Sequence, residues 1–158
     1  MVTLSFIIPI YNAERYLTEC LGSIYATSVD EHAFEVICVN DCSSDNSHEV
    51  VLEYEKEHKN LVLIDHTENK NAGGACNTGL QAARGECVWF VDADDTVAPN
   101  ALKTILETCE TNDLDALCFN HALWYKDRKK DEHVFMCLRS RRACRQERTS
   151  WWMFLAMG

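Results

Sequence analysis

Three carboxylates stand within four residues at Asp92, Asp94 and Asp95, directly after the apolar run 87–91. Unit charges about 4 Å apart repel each other by roughly 4 kcal/mol at an effective dielectric constant of about 20, so a nearby cation should compensate them. Oxygen ligands suit Mg²⁺ or Mn²⁺, which commonly keep water ligands and bridge to substrate phosphates. An acidic helix start explains Asp94 or Asp95 singly, although it does not require Asp92. The pattern therefore favours a divalent-cation site and leaves the acidic helix start as the alternative.

Three other polar clusters carry residues that can bind a nucleotide, and each also has a plainer structural role. A carboxylate such as Asp41 can accept the N–H edge of a base or cap the next helix, and taken alone the cap is the better interpretation. Tyr11 can border a base or cover the sheet edge. Gly73 and Gly74 at a helix entry let backbone N–H groups approach an anion, but their spacing matches neither common phosphate-binding motif. Phosphate binding is thus only weakly indicated there.

Strand and helix patterns alternate along the chain. We predict strands at 4–8, 34–39, 61–64, 87–91 and 114–119, and helices at 16–24 after an Asn12 cap, at 50–54, at 75–83 and at 98–109. Pro9 has no N–H for a ladder hydrogen bond and should end the first strand. After about residue 121 the pattern weakens to a charged connection at 126–132 and a short strand at 134–138. Alternation of this kind implies an α/β fold, with a mostly parallel central sheet flanked by helices.

The polar clusters at 9–12, 40–47 and 92–95 each follow directly after a predicted strand. In parallel sheets, ligands bind beyond the carboxyl ends of the strands, where the strand order reverses. All three clusters should therefore open onto one rim of the sheet. This convergence is the first indication of a binding site.

Size and composition limit the class of protein. A chain of 158 residues, 47% of them apolar, suits one compact domain with a core. Its 9 cysteines are odd in number and form no Cys-x-x-Cys pair, so we expect reduced core residues rather than disulfides or a zinc site. The 6 histidines lack metal-ligand spacing and are expected on the surface or in the core. No apolar run reaches the ~18 residues of a membrane span and no secretion signal is evident, so we expect a cytoplasmic protein.

Charge is distributed unevenly, with a net charge of −10 over the whole chain and a basic segment at 126–148. The acidic main body repels nucleic-acid backbones, so we expect no nucleic-acid partner. The basic segment can meet a phosphate, an acidic glycan or, in a peripheral membrane contact, an anionic lipid surface, although a solvated surface is the better interpretation. The apolar run 151–157 has no helix stop, which suggests a truncated chain. Such a run packs against a missing segment or joins copies in a homo-oligomer.

Four stretches share their order and spacing with a known family. They are Phe-Ile-Ile-Pro-Ile-Tyr-Asn-Ala-Glu-Arg-Tyr-Leu at 6–17, Val-Asn-Asp-Cys-Ser-Ser-Asp at 39–45, Gly-Gly-Ala-Cys-Asn-Thr-Gly at 73–79 and Gly-Glu-Cys-Val-Trp-Phe-Val-Asp-Ala-Asp-Asp at 85–95. Together they resemble the N-terminal half of family-2 glycosyltransferases of the GT-A fold, the fold of nucleotide-diphospho-sugar transferases. The likeness covers residues 2–110 and, as a set, is highly specific.

The resemblance implies a nucleotide-sugar site at the rim of the sheet. Carried over by motif position, Pro9 and Tyr11 line the base and Asp41 accepts its N–H. Asp92 lies near the ribose. These roles come from the resemblance and remain expectations at this point.

The resemblance also implies an activity, that of a metal-dependent glycosyltransferase. Such an enzyme moves a sugar from a nucleoside-diphosphate sugar, here expected to be a UDP-sugar, to a glycan or lipid-linked acceptor, as in polysaccharide biosynthesis. Asp94, together with Asp95, then ligates Mn²⁺ or Mg²⁺ on the diphosphate, where the metal neutralises charge that develops on the leaving group. Such enzymes usually invert the anomeric centre, with a carboxylate deprotonating the acceptor hydroxyl.

The sequence departs from the family pattern at several positions. Cys42 stands where the family commonly has Gly, and Cys76 stands where it commonly has Arg, so one phosphate-side cation is missing. Asn40 replaces a frequent Asp and leaves Asp41 to read the base. The family's catalytic base lies well C-terminal to the Asp-x-Asp element, and the late carboxylates at 131, 132 and 147 sit in no recognisable motif. The catalytic residue is therefore unassigned.

We expect a single domain over 1–158, with a nucleotide-sugar-binding half at 1–97 and the start of an acceptor-side half, truncated, at 98–158. Two other functions stay open. A truncated domain without a base binds the donor but does not transfer the sugar. A nucleotidyltransferase releases pyrophosphate from a nucleoside triphosphate and a sugar phosphate.

Overall fold

The computed structural model describes residues 2–111, 117, 121–125 and 128–132. The strands are β1 (Leu4–Ile10), β2 (Phe34–Asn40), β3 (Leu61–Asp65), β4 (Cys87–Phe90), β5 (His121–Tyr125) and β6 (Arg128–Glu132). The helices are α1 (Glu14–Tyr25), α2 (Ser47–Glu57), α3 (Asn71–Ala82) and α4 (Ala101–Thr111), with a short 3₁₀ turn at Glu31–Ala33. The chain divides into two compact units, Met1–Leu106 and Glu107–Gly158.

The first unit is built on a four-stranded sheet with the order β3-β2-β1-β4. All three neighbouring pairs are parallel, and in the central row Ile7 of β1 lies between Ile37 of β2 and Phe90 of β4. Helices connect successive strands, as parallel pairing requires. The predicted α/β fold with a mostly parallel sheet is confirmed for this unit.

Both faces of the two central strands are buried, which explains their nearly unbroken apolar sequences. One face, including Phe6 and Val36, packs with Leu17 and Leu21 of α1 in the main core. The other face packs against α3, and a Cβ atom at Gly79 would lie 2.4 Å from Ile7 Cγ2. Glycine therefore lets α3 lie close to the sheet.

The first strand runs through Pro9 to Ile10, so the prediction that Pro9 ends it is wrong. The carbonyl of Ile7 accepts from the N–H of Val91 on the β4 side, and the carbonyl of Ile10 accepts from the N–H of Asp41 on the β2 side. Along a strand, the backbone N–H and C=O groups of successive residues point alternately to the two neighbouring strands, so the backbone nitrogen of Pro9 points to the β4 side, as Ile7 does. Because β4 ends at Phe90, the strand continues without a donor at Pro9.

Several predicted boundaries shift in the structure. The fourth strand was expected to be buried, but its residues are only partly buried and Phe90 is 46% exposed, because β4 is the outermost strand on that side of the described sheet. The third helix begins at Asn71, so Gly73 and Gly74 lie inside its first turn and not before it. The fourth helix begins at Ala101 and not at residue 98.

In the second unit, β5 and β6 pair antiparallel, with His121 opposite Glu132. The prediction of a charged connection over 126–132 is therefore wrong for 128–132, where five consecutive charged residues form a strand. The predicted strand at 114–119, apart from Leu117, and the predicted strand at 134–138 lie outside the described residues. Within the part of the chain that is described, no helix is long and apolar enough to cross a membrane.

Candidate functional site

A cleft of about 270 Å³ lies at the carboxyl ends of β1 and β2 and beside the segment that follows β4. Its walls come from five parts of the first unit: the end of β1, the start of α1, the end of β2, α3 and the segment after β4. The lining residues are Pro9, Ile10, Tyr11, Asn12, Ala13, Tyr16, Asp41, Ala72, Ala75, Asp92, Ala93 and Asp94. Its volume is just below the ~300–1,000 Å³ that small-molecule sites occupy.

The cleft brings together five of the six residues that the sequence singled out, namely Pro9, Tyr11, Asp41, Asp92 and Asp94. They come from three chain segments separated by about thirty to fifty residues, and the parallel sheet aligns the ends of those segments. Asp95 is exposed and is not among the lining residues. Tyr11 is 58% exposed and forms an open aromatic wall.

Asp41 is the most deeply placed charged group of the cleft, with 2% of the residue exposed. Its Oδ1 atom lies 2.7 Å from Nδ1 of His66 and accepts a 2.8 Å hydrogen bond from the backbone N–H of Lys70. Burial alone raises the pKa of the carboxyl, but hydrogen bonds from His66 and from the N–H groups of Lys70 and Asn71 outweigh burial and hold the pKa below its usual range. Asp41 is therefore an ionised acceptor.

His66 is a site residue that the sequence reasoning missed. It directly follows β3, and its side chain is 5% exposed. Nε2 lies 2.8 Å from the hydroxyl of Thr78 on α3, so the imidazole joins the Asp41 carboxylate to that helix. The available signal was its position, because β3 ends at the same rim as β1 and β2.

Asp92 and Asp94 are two exposed carboxylates that line the cleft together. Burial, followed by the charge of Asp94, raises the pKa of Asp92. Among the residues that the structure describes, neither side chain has a cationic partner, and no group of three His, Cys, Asp or Glu side chains converges as a closed metal site. This donor set fits a cation that takes its remaining ligands from a bound phosphate and water, and it does not fit a cation held by protein alone.

Two cysteines lie close to Asp92 and bring no positive charge to it. The thiol of Cys20 donates to the carbonyl of Asp92 at 3.7 Å, and burial, with the three nearby aspartates, raises the pKa of Cys20 to about 12. Burial and the charge of Asp92 also raise the pKa of Cys76. Both thiols stay protonated near neutral pH, so the position at which the resemblance expects Arg is electrically neutral.

The start of α1 is capped by the loop 41–46 and not by Asn12, so the predicted Asn12 cap is wrong. Ser43 Oγ accepts from the N–H of Asn12 at 3.0 Å, and Asp45 Oδ2 accepts from the N–H of Glu14 at 3.0 Å. Ser47 Oγ, at the start of α2, accepts from the N–H of Ala13 at 2.9 Å. These acceptors lie about thirty residues away in sequence, so local pattern cannot show them.

Asn12 and Cys42 both adopt backbone conformations that favour glycine. Their φ angles are 51° and 65°. Asn tolerates this region because its side chain bonds locally, and Asn12 Oδ1 accepts from the N–H of Ser44 at 2.8 Å. Cys42 occupies the position at which the resemblance expects Gly, and the positive φ gives the physical reason for that preference.

The Asn40 side chain is used within the rim. Its amide nitrogen donates to Asp65 Oδ1 at 2.7 Å, and its amide oxygen accepts from the N–H of Ser43 at 3.1 Å. An aspartate at position 40 could not donate to Asp65, which explains why an amide stands there. Asp41, and not Asn40, is the cleft-lining residue of this pair.

Comparison with known proteins agrees with this architecture. Residues 5–155 match the family described as Glycosyl transferase family 2. This chain belongs to that family. The poly(ribitol-phosphate) beta-glucosyltransferase of Bacillus spizizenii is 38% identical over 100 residues, which are 63% of this chain and 16% of that protein. The poly(ribitol-phosphate) beta-N-acetylglucosaminyltransferase TarS of Staphylococcus aureus is 34% identical over 117 residues, which are 74% of this chain and 20% of that protein.

Solved structures give the same result at the level of the fold. The crystal structure of Staphylococcus aureus TarS 1–349 in complex with UDP-GlcNAc matches with a TM-score of 0.69 and 34% identity, over 72% of this chain and 33% of that chain. A mannosyltransferase from Pyrobaculum calidifontis in complex with GDP-Man and Mn²⁺ matches with a TM-score of 0.59 and 30% identity, over 65% of this chain and 30% of that chain. The fold is of the GT-A type. The chain spans about a third or less of the length of these relatives.

Proposed function

We propose that this chain is the donor-binding part of a metal-dependent glycosyltransferase. It binds a nucleoside-diphosphate sugar, a UDP-sugar, and transfers the sugar to a glycan or lipid-linked acceptor with inversion. Residues 1–97 hold the donor, and 98–158 begin the acceptor-side half. In the reaction, the bond between the anomeric carbon and the diphosphate oxygen breaks, the acceptor oxygen bonds to the anomeric carbon, and a base takes the hydroxyl proton.

The roles within the cleft follow from its chemistry. Pro9 and Tyr11 supply apolar and aromatic surface to the base, and the ionised, buried Asp41 accepts the imide N–H of uracil. A carboxylate accepts roughly four hydrogen bonds, so the three donors already on Asp41 leave capacity for one from the ligand. Asp92 lies near the ribose.

The cation of this proposal is Mn²⁺ or Mg²⁺, held by Asp94 with Asp95 as a second candidate ligand. When bound, it neutralises the negative charge that develops on the departing nucleoside diphosphate. The supporting feature is the Asp92 and Asp94 pair, which has no cationic side-chain partner in the described part of the chain. The Mn²⁺ named in the mannosyltransferase structure supports the same choice of metal.

One observation carries the proposal. The aromatic, apolar and anionic groups that a nucleotide and its metal require line a single cleft at the carboxyl ends of parallel strands. The UDP-GlcNAc complex of TarS, which shares this fold at 34% identity, supports uridine as the nucleoside.

The test combines binding with turnover. Titration calorimetry should show UDP binding that Mn²⁺ strengthens, and incubation of UDP-sugars with Mn²⁺ should release UDP by transfer or slow hydrolysis. Absence of binding for every nucleoside diphosphate, with or without Mn²⁺, contradicts the proposal. Release of pyrophosphate from a nucleoside triphosphate and a sugar phosphate would instead indicate a nucleotidyltransferase.

A second candidate function is donor binding without transfer. It is favoured by one feature, since no residue of the described cleft other than the donor-side carboxylates is placed to act as a base. UDP-sugar binding without release of UDP, in the presence of Mn²⁺ and mixed glycan acceptors, distinguishes this function from the first.

A further inference from the structure

The side chain of His66 is buried behind the cleft and is not among its lining residues. Its backbone N–H donates to the carbonyl of Asn40 at 2.9 Å, which fixes the exit of β3 against the exit of β2. The imidazole then lies between Asp41 on one side and Thr78 on the other. Of its two side-chain partners, Asp41 lines the cleft and Thr78 does not, so the direct route from His66 to a ligand is through Asp41.

The hydrogen bond to Asp41 determines the role of Nδ1. An ionised carboxylate only accepts, so Nδ1, 2.7 Å from Asp41 Oδ1, must be the donor. Nε2 lies 2.8 Å from the Thr78 hydroxyl, which can donate to a neutral ring or accept from a protonated one. In either state Thr78 holds the ring in the orientation that serves Asp41.

Two donors converge on one oxygen of the carboxylate. Nδ1 of His66 and the N–H of Lys70 both bond Oδ1, at 2.7 and 2.8 Å. With Oδ1 held from two directions, the plane of the carboxylate is fixed, and so is the direction of Oδ2. An acceptor held in this way recognises an N–H group without first losing rotational freedom.

We propose that His66 is a positioning residue that orients Asp41 to read the uracil ring and thereby sets the preference for uridine over cytidine diphosphates. The inference rests on the proposed function, because it assumes that Asp41 accepts from the base. Uracil presents an N–H at ring position 3, whereas cytosine presents an unprotonated nitrogen there. A fixed carboxylate attracts the first and repels the second, and a loosely held carboxylate discriminates less well.

Four variants of the full chain test this proposal by titration with UDP and with CDP. His66→Leu removes both hydrogen bonds, and His66→Gln places an amide nitrogen near the position of Nε2, so neither serves Asp41. His66→Asn places an amide nitrogen near the position of Nδ1 and restores the donor. His58→Leu is the matched control, because His58 Nδ1 pairs with Glu31 Oε1 at 2.9 Å outside the cleft.

We expect His66→Leu and His66→Gln to bind UDP about tenfold more weakly and to lose most of the preference for UDP over CDP, since a charge-assisted hydrogen bond is lost. His66→Asn should keep UDP affinity within about threefold of the parent chain, and His58→Leu should not change it. Rescue by Asn and not by Gln is a result that a merely structural role would not produce.

Two kinds of result overturn the inference, and they can be told apart. If the parent chain prefers UDP and His66→Leu keeps that preference, or if Asn and Gln behave alike, His66 does not position Asp41 and the proposed function stands. If the parent chain binds no nucleoside diphosphate, the proposed function fails and the inference fails with it.

Discussion

Replacing Asp94 with asparagine should change UDP binding in opposite directions with and without a divalent cation. In the described part of the chain neither Asp94 nor Asp92 has a cationic side-chain partner. In the proposed function their charges therefore repel an incoming diphosphate when no metal is bound, and the substitution removes part of that repulsion. With Mn²⁺, the substitution removes the anionic ligand that the proposed function assigns to the ion. Asp94→Asn should therefore strengthen metal-free binding and weaken binding in Mn²⁺.

The exposure of Asp94 sets the size of the effect. Unit charges about 4 Å apart interact by about 1 kcal/mol in bulk water and by about 4 kcal/mol at a dielectric constant near 20, and the lower value suits an exposed group. A change of ~1 kcal/mol corresponds to roughly a fivefold gain in metal-free UDP affinity. Loss of a metal ligand should cost at least about tenfold in Mn²⁺. The factor by which Mn²⁺ strengthens binding should thus shrink by about 50-fold.

Calorimetric titration of UDP in Mn²⁺ and in EDTA measures both directions for each variant. Glu53→Gln, at an exposed carboxylate on α2, is the matched control and should leave both constants unchanged. Asp95→Asn reports whether a second carboxylate shares the ion. If Asp94→Asn keeps the full Mn²⁺ dependence, or weakens binding by the same factor in both conditions, the assignment of Asp94 as a metal ligand is wrong.

Three further predictions concern stability. Gly79→Ala should lower the free energy of unfolding, measured by chemical denaturation, by about 1–3 kcal/mol, because its Cβ would lie 2.4 Å from Ile7 Cγ2. Gly22→Ala is the control and should raise the free energy of unfolding, because its Cβ would lie 3.5 Å from the Tyr54 hydroxyl, an ordinary contact. Cys42→Gly should raise the free energy of unfolding by about 1 kcal/mol by relieving a φ of 65°, and Cys42→Ala should not. The free energy of unfolding should begin to fall as the pH drops below about 4, the usual pKa of an Asp carboxyl. The pKa of Asp41 is lowered in the folded state, so ionised Asp41 stabilises the fold above that pH, and protonation removes the stabilisation. An unfolding free energy that stays constant between pH 5 and pH 2 would contradict this pH dependence.

The order of strands and helices could be predicted largely because the two central strands are buried on both faces. Strands such as β1 and β2 then read as continuous apolar runs, and the helices between them show their own period. Boundaries were less predictable, since they depend on partners distant in sequence. The local pattern suggested that Pro9 stops β1, but the strand continues because β4, some eighty residues later, has already ended.

In the candidate site, too, the sequence predicts which residues reach the rim of the sheet but not which side chains contact each other. Tyr11, Asp41 and Asp94 were predicted to share a rim because each follows a strand, and the cleft brings them together. His66 was not predicted, because its position after β3 indicates only the rim, and its partner Asp41 lies 25 residues away in sequence. Side-chain networks of this kind depend on tertiary packing, which one sequence does not reveal.

The loop 41–46 links the cleft to the packing of α1. Asp41, at its start, lines the cleft, and Asp45, four residues later, accepts from the N–H of Glu14 and from Ser47. The pKa of Asp45 is lowered because these hydrogen bonds outweigh burial, so the cap is strongest when Asp45 is ionised. Since α1 contributes Tyr16 to the same cleft, one short loop fixes the positions of two lining residues, Asp41 and Tyr16. Loss of the cap should therefore disturb nucleotide binding as well as stability, although Asp45 does not line the cleft.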